Sequence, residues 1–109
     1  WLAGQGGYGV QTAPALARAF LDLSERARHG EQIKIGTIKK HRNDVFRLLQ
    51  LLPASENIQV PAPIRADLHR FVDLIEDDDS LDPMRFDVQF TRAEGIALIR
   101  SAYGLDAGR

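Results

Sequence analysis

Residues 37–52 read Thr37-Ile38-Lys39-Lys40-His41-Arg42-Asn43-Asp44-Val45-Phe46-Arg47-Leu48-Leu49-Gln50-Leu51-Leu52, and Pro53 follows. At 100° per residue, Leu48, His41, Leu52, Val45, Ile38, Leu49, Arg42 and Phe46 share one broad arc, while Lys39, Gln50, Asn43, Arg47, Lys40 and Asp44 share the other. An apolar stripe opposite a charged face predicts an amphipathic helix over 38–52. Thr37 suits its N-cap, and Pro53 its end. Arg42 stands out because the wheel places a guanidinium inside the apolar arc. Burying it unpaired is costly, so it must meet a carboxylate or lie at a cleft edge.

Working outward, the same period recurs three times. Leu16, Phe20, Leu23 and Ala27 fall at i, i+4, i+7 and i+11, predicting a helix over 13–29. Thr12 is its expected cap, Pro14 falls in its first turn, and Gly30 is the stop. Ile64, Leu68, Phe71 and Ile75 repeat the spacing and predict a helix over 62–77. The run Glu76-Asp77-Asp78-Asp79 ends it, because acidic residues are unfavourable at a helix C-terminus. Val88-Gln89-Phe90 suits a short extended piece. Thr91 and Glu94 fit a capping box before Ile96, Ile99 and Tyr103, with Gly104 as the stop. The expected fold is mainly α, a small bundle or subdomain of about four helices over 12–109. A glycine-rich, flexible lead-in is expected over 1–11.

Composition narrows the function classes. A chain of 109 residues has room for one domain. Fourteen Lys+Arg against fifteen Asp+Glu argue against a surface that is wholly a nucleic-acid footprint. With no cysteine, a disulfide framework, a thiolate zinc site and a cysteine nucleophile are all excluded for this chain. His29, His41 and His69 are too scattered for a spaced metal motif. No apolar run approaches a membrane span and no signal-peptide pattern is seen, so a cytoplasmic protein is expected. The chain opens on Trp1 and its single methionine is Met84, which suggests that Trp1 is not a natural translation start.

Four constellations carry chemistry. Gly4-Gln5-Gly6-Gly7-Tyr8-Gly9 matches a dinucleotide-binding glycine motif letter for letter. It lacks the strand that must precede it and the helix that must open from it, and it reads as a loop. Lys34, Lys39, Lys40, His41, Arg42 and Arg47 form a cationic segment suited to phosphates. The ordinary reading of such a face is that it is simply solvated. Asp44, with Lys40 at i−4, His41 at i−3 and Arg47 at i+3, should stay ionised and help orient a phosphate or hold a metal ion. On spacing alone, a weak surface ion pair describes it as well. The acidic stretch from Asp73 to Asp82 has no calcium-loop spacing and reads as a solvated loop or a dock for a basic partner.

Lys39-Lys40-His41-Arg42-Asn43-Asp44-Val45-Phe46-Arg47-Leu48, together with Ala17-Arg18-Ala19-Phe20-Leu21-Asp22-Leu23 and Glu25-Arg26, resembles the C-terminal half of AbiEii/AbiGii-type nucleotidyltransferases, several of which are bacterial toxins. The resemblance runs from about Ala17 to Leu52 and is looser beyond. It implies a parent enzyme that moves a nucleotide monophosphate from a nucleoside triphosphate to a transfer-RNA or protein acceptor. In that family an α/β core carries a Gly-Ser motif and a magnesium-binding Asp-x-Asp pair, and a helical part contributes a lysine and, one helix later, an aspartate. Asp44 matches that aspartate and is the implied catalytic residue; Lys40, Arg42 and Arg47 are the implied nucleotide and phosphate contacts. The lysine expected just before Ala17 is replaced by Leu16, or is lost in a shortened segment around Pro14, and the Gly-Ser and Asp-x-Asp residues are absent from the chain. The resemblance therefore implies a catalytically incomplete piece that by itself binds magnesium with a nucleoside triphosphate weakly or not at all. Its implied partners are the missing core and an antitoxin, and an apolar face left bare on the first or last helix would favour self-association. The alternative is a free-standing helical module that binds nucleic acid or a protein.

Overall fold

The computed structural model describes residues 7–51 and 58–105. It contains four α-helices: α1 (Gly7–Arg28), α2 (Ile35–Leu49), α3 (Ala62–Ile75) and α4 (Arg92–Ala102). A single 3-10 turn, Pro83–Phe86, lies between α3 and α4, and there is no strand among the described residues. The mainly α expectation is met. No helix among the described residues is long and apolar enough to cross a membrane.

Local chemistry explains most of the boundaries. α1 and α4 both end in a glycine with positive φ, Gly30 at 98° and Gly104 at 66°. Each closes the same pair of backbone bonds. Gly30 N and Glu31 N donate to Ala27 O and Arg26 O, and Gly104 N and Leu105 N donate to Ser101 O and Arg100 O. This arrangement satisfies the last carbonyls and demands a left-handed residue, which glycine provides without a Cβ clash. At the start of α4 the capping box forms: Thr91 Oγ1 accepts from Glu94 N at 3.1 Å, and Thr91 N donates to Glu94 Oε1 at 2.8 Å. α3 begins after Pro61 with Pro63 in its first turn, where the missing N–H has no helical partner to lose. It stops at Ile75, ahead of the acidic run.

Two helix starts differ from the sequence expectation. α1 begins at Gly7, so residues 7–11 are helical rather than part of a lead-in, and Pro14 lies inside the helix. An interior proline removes one i→i−4 bond but itself adopts helical φ, and glycine propensity is only a weak bias against helix. The first three glycine-motif residues and the rest of 1–6 lie outside the described residues. α2 begins at Ile35 after Lys34, so Thr37 is a first-turn residue and not the cap. The Lys34 carbonyl accepts from both Thr37 N and Ile38 N, which draws the helix back one turn. The stretch 88–90 is a bend rather than a strand.

α1 packs on both α2 and α3, and α2 packs on α4. Phe20 of α1 meets Phe71 of α3 edge-on, with centroids 5.5 Å apart and planes at 86°. Beside them Arg18 Nη1 donates to Asp67 Oδ2 at 3.0 Å, tying the same two helices at the core margin. Phe46, Leu49, Phe71, Leu68, Ile75, Ile99 and Tyr103 are fully buried between the helices. Burial pushes the Tyr103 phenol up to about 12. The exposed large apolar side chains are Ile35, Leu51, Leu74 and Met84. Among the side chains described, none of these lies on α1 or α4.

The α2–α4 contact depends on a missing side chain. A Cβ built on Gly95 falls 2.3 Å from Phe46 Cε2 and 3.1 Å from Phe90 Cε1. Phe46 is wholly buried and its ring leans on Phe90 at 6.2 Å, so it has nowhere to retreat. Gly95→Ala should therefore destabilise the fold by about 1–3 kcal/mol, although alanine is the better helix former. A lower midpoint in urea denaturation is the expected result. An unchanged or higher midpoint would show that the helices part freely.

Candidate functional site

The polar face of α2 presents Asp44 between two cations, each about one turn away. Lys40 Nζ donates to Asp44 Oδ2 at 2.7 Å, and Arg47 Nη1 donates to Asp44 Oδ1. Both carboxylate oxygens are thus engaged, as the i−4 and i+3 spacing predicts. Partial burial works to raise the carboxyl, but hydrogen bonds from Lys40 and Arg47 and their charges outweigh it and leave Asp44 below the usual carboxylate range. The Arg47 guanidinium carbon also stands 4.9 Å over the centroid of the Phe86 ring. Asp44, Arg47, Leu48 of α2 and Leu16 of α1 line one hollow of about 310 Å³.

Arg42 occupies a different environment on the same helix. It is 4% exposed, and its Nη1 donates to Asp78 Oδ2 at 2.8 Å while Nε donates to Asn43 Oδ1 at 3.0 Å. Asp78 is held in turn by Ser80, which donates from its backbone N at 3.0 Å and its Oγ at 2.6 Å. Arg92 of α4 donates to the Asp78 carbonyl. Burial pushes the Asp78 carboxyl up, while the Ser80 bonds and the Arg42 charge pull it down further, so it titrates below its ordinary value. The carboxylate demanded by the helical wheel is therefore found, thirty-six residues away. As a phosphate contact Arg42 is corrected: the guanidinium is buried and turned onto its own chain.

Asp78 also departs from the expectation of a freely solvated acidic loop. Glu76, Asp79 and Asp82 of the same stretch line a larger hollow of about 500 Å³ against α4, where Arg92 reaches Asp79 at 3.6 Å and Arg100 reaches Glu76 at 3.3 Å. No group of three or more metal-ligating side chains is gathered among the described residues. His41 is half-buried with Nδ1 lacking a hydrogen-bond partner, and His29 pairs with Glu25 on the surface. Phe86 and Gly95 were not legible as site or packing residues, since each acts through a partner about forty or fifty positions away.

The donor set at Asp44 does not suit magnesium. It offers one carboxylate, and each oxygen already accepts from a cation. It suits phosphate better. An ammonium has three donors and a guanidinium five, so Lys40 and Arg47 keep donors beyond those given to Asp44. Comparison with protein-family models, characterised proteins and solved structures finds no match to this chain.

The depressed carboxyls of Asp44 and Asp78 make stability depend on acid. Each is lower in the folded state than the value near 3.9 of an unfolded aspartate. Their contribution is complete above that value and is lost as pH falls through the folded-state value. Urea midpoints should hold down to about pH 4 and drop below it. Asp78→Asn should lower the midpoint at neutral pH and flatten the acid limb. An acid limb as steep as that of the unmutated chain would deny Asp78 this part.

Proposed function

We propose that this chain is the C-terminal helical part of a nucleotidyltransferase of the AbiEii/AbiGii type, and that α2 supplies the phosphate-facing edge of its nucleotide cleft. Asp44 acts there as the implied catalytic aspartate and holds Lys40 and Arg47 where their remaining donors can take phosphate oxygens. One observation carries the reading. Leu16 and Asp44, which stand at the positions resembling the family's lysine and aspartate, come from different helices and line the same hollow. With leucine at the first of them, one cation of the cleft is missing. The magnesium-binding carboxylates and the Gly-Ser phosphate grip would belong to an α/β core that this chain does not contain.

This reading makes two demands. The coding sequence upstream of Trp1 should contain an in-frame Gly-Ser followed by Asp-x-Asp. The protein it encodes should transfer labelled nucleotide, and Asp44→Asn should lower kcat about 100-fold or more. A stop codon directly upstream, or transfer indifferent to Asp44→Asn, would contradict the proposal. The 109-residue chain by itself should bind magnesium–nucleoside triphosphate weakly or not at all. Tight stoichiometric binding in calorimetry would contradict its incompleteness.

A further inference from the structure

The Arg47 side chain is about half exposed, and a guanidinium on a flexible stem at such a place samples many rotamers. Here it has two fixed partners, the Asp44 carboxylate on its own helix and the Phe86 ring from the 3-10 turn. That turn is a rigid support. Pro83 opens it and is buried, Val88 N donates back to Pro83 O at 3.2 Å, and Asp87 closes it in the left-handed region at φ 68°. The turn packs on α2, so the ring face and the carboxylate approach one guanidinium from different elements.

We infer that Phe86 is a positioning residue for the Asp44 site, its ring face selecting the Arg47 orientation that meets the carboxylate. A guanidinium over an aromatic face gains from the ring quadrupole, and the planar group leaves its edge donors free for Asp44 and for an incoming anion. Phe86 itself touches no substrate. Its role rests on the proposed function only in that Asp44 and Arg47 form the phosphate-facing edge.

The test separates the ring face from its bulk. Phe86→Leu keeps apolar packing against the core and removes the π face, whereas Phe86→Tyr keeps both. The charged groups acting on Asp44 are Lys40 and Arg47, both of α2, while α1 offers Leu16 to the hollow. The Asp44 carboxyl therefore reports directly on Arg47. Carbon-13 titration of that carboxyl in the whole 109-residue chain, with the amide spectrum as control for folding, is the measurement. Phe86→Leu should move the midpoint up by about half a pH unit, and Phe86→Tyr should leave it in place. A midpoint unmoved by Phe86→Leu, or moved equally by both substitutions, would overturn the inference. Neither outcome depends on nucleotide transfer, so failure here and failure of the proposed activity are distinguishable.

Discussion

The contact on which the rest of the structure depends is the ion pair between Arg42 and Asp78. Its guanidinium lies almost wholly inside the protein, on the face of α2 that also carries Val45, Phe46 and Leu49 into the core. A buried cation without a partner would cost several kcal/mol, so α2 can adopt this register only if a carboxylate is delivered to that point. Asp78 delivers it from the link after α3, and the Ser80 hydroxyl and backbone fix the carboxylate for the purpose. The same aspartate offers its carbonyl to Arg92 at the start of α4. One residue of an acidic turn thereby binds α2 and α4 together, beside the place where Gly95 lets Phe46 against α4.

Asp44 and Asp78 are two carboxylates with depressed titration and opposite purposes. Asp78 faces inward and meets a buried guanidinium, so its charge is spent on the fold. Asp44 lies on the outer face of α2 and meets two cations that keep donors to spare. An exposed ion pair adds little stability, and in the proposed reading Asp44, Lys40 and Arg47 serve a ligand instead. The hollow beside them is walled by Leu16 and Leu48, and the Phe86 ring braces the arginine. The sequence of α2 thus serves the core from one face and presents the candidate site on the other.

What was legible in the sequence was the chemistry that acts over one helical turn. The capping box at Thr91, the glycine stops at Gly30 and Gly104 and the pairing of Asp44 with its neighbours all follow from i→i+3 and i→i+4 geometry. The wheel of α2 placed Arg42 in the apolar arc and so required a carboxylate, although it could not say which one. Phe86 and Gly95 lay beyond such reasoning because their meaning comes from partners distant in sequence. The 3-10 turn carries no period to detect, and Gly95 looks like a weak point in a helix until Phe46 is set against it. α1 starts ahead of the Thr12 cap because glycine and proline disfavour helix without forbidding it. Asp44 as a functional residue came from the resemblance around Lys39–Leu48, since spacing alone describes a surface pair equally well.

The claim that Arg42 and Asp78 organise this fold is tested most directly by a double-mutant cycle. Urea denaturation of the unmutated chain, Arg42→Met, Asp78→Ala and the double variant yields the coupling energy between the two side chains. The account predicts a coupling of about 2 kcal/mol, with the double variant at least as stable as Asp78→Ala, because removing the buried charge relieves the damage done by removing its partner. A coupling below about 0.5 kcal/mol would contradict it.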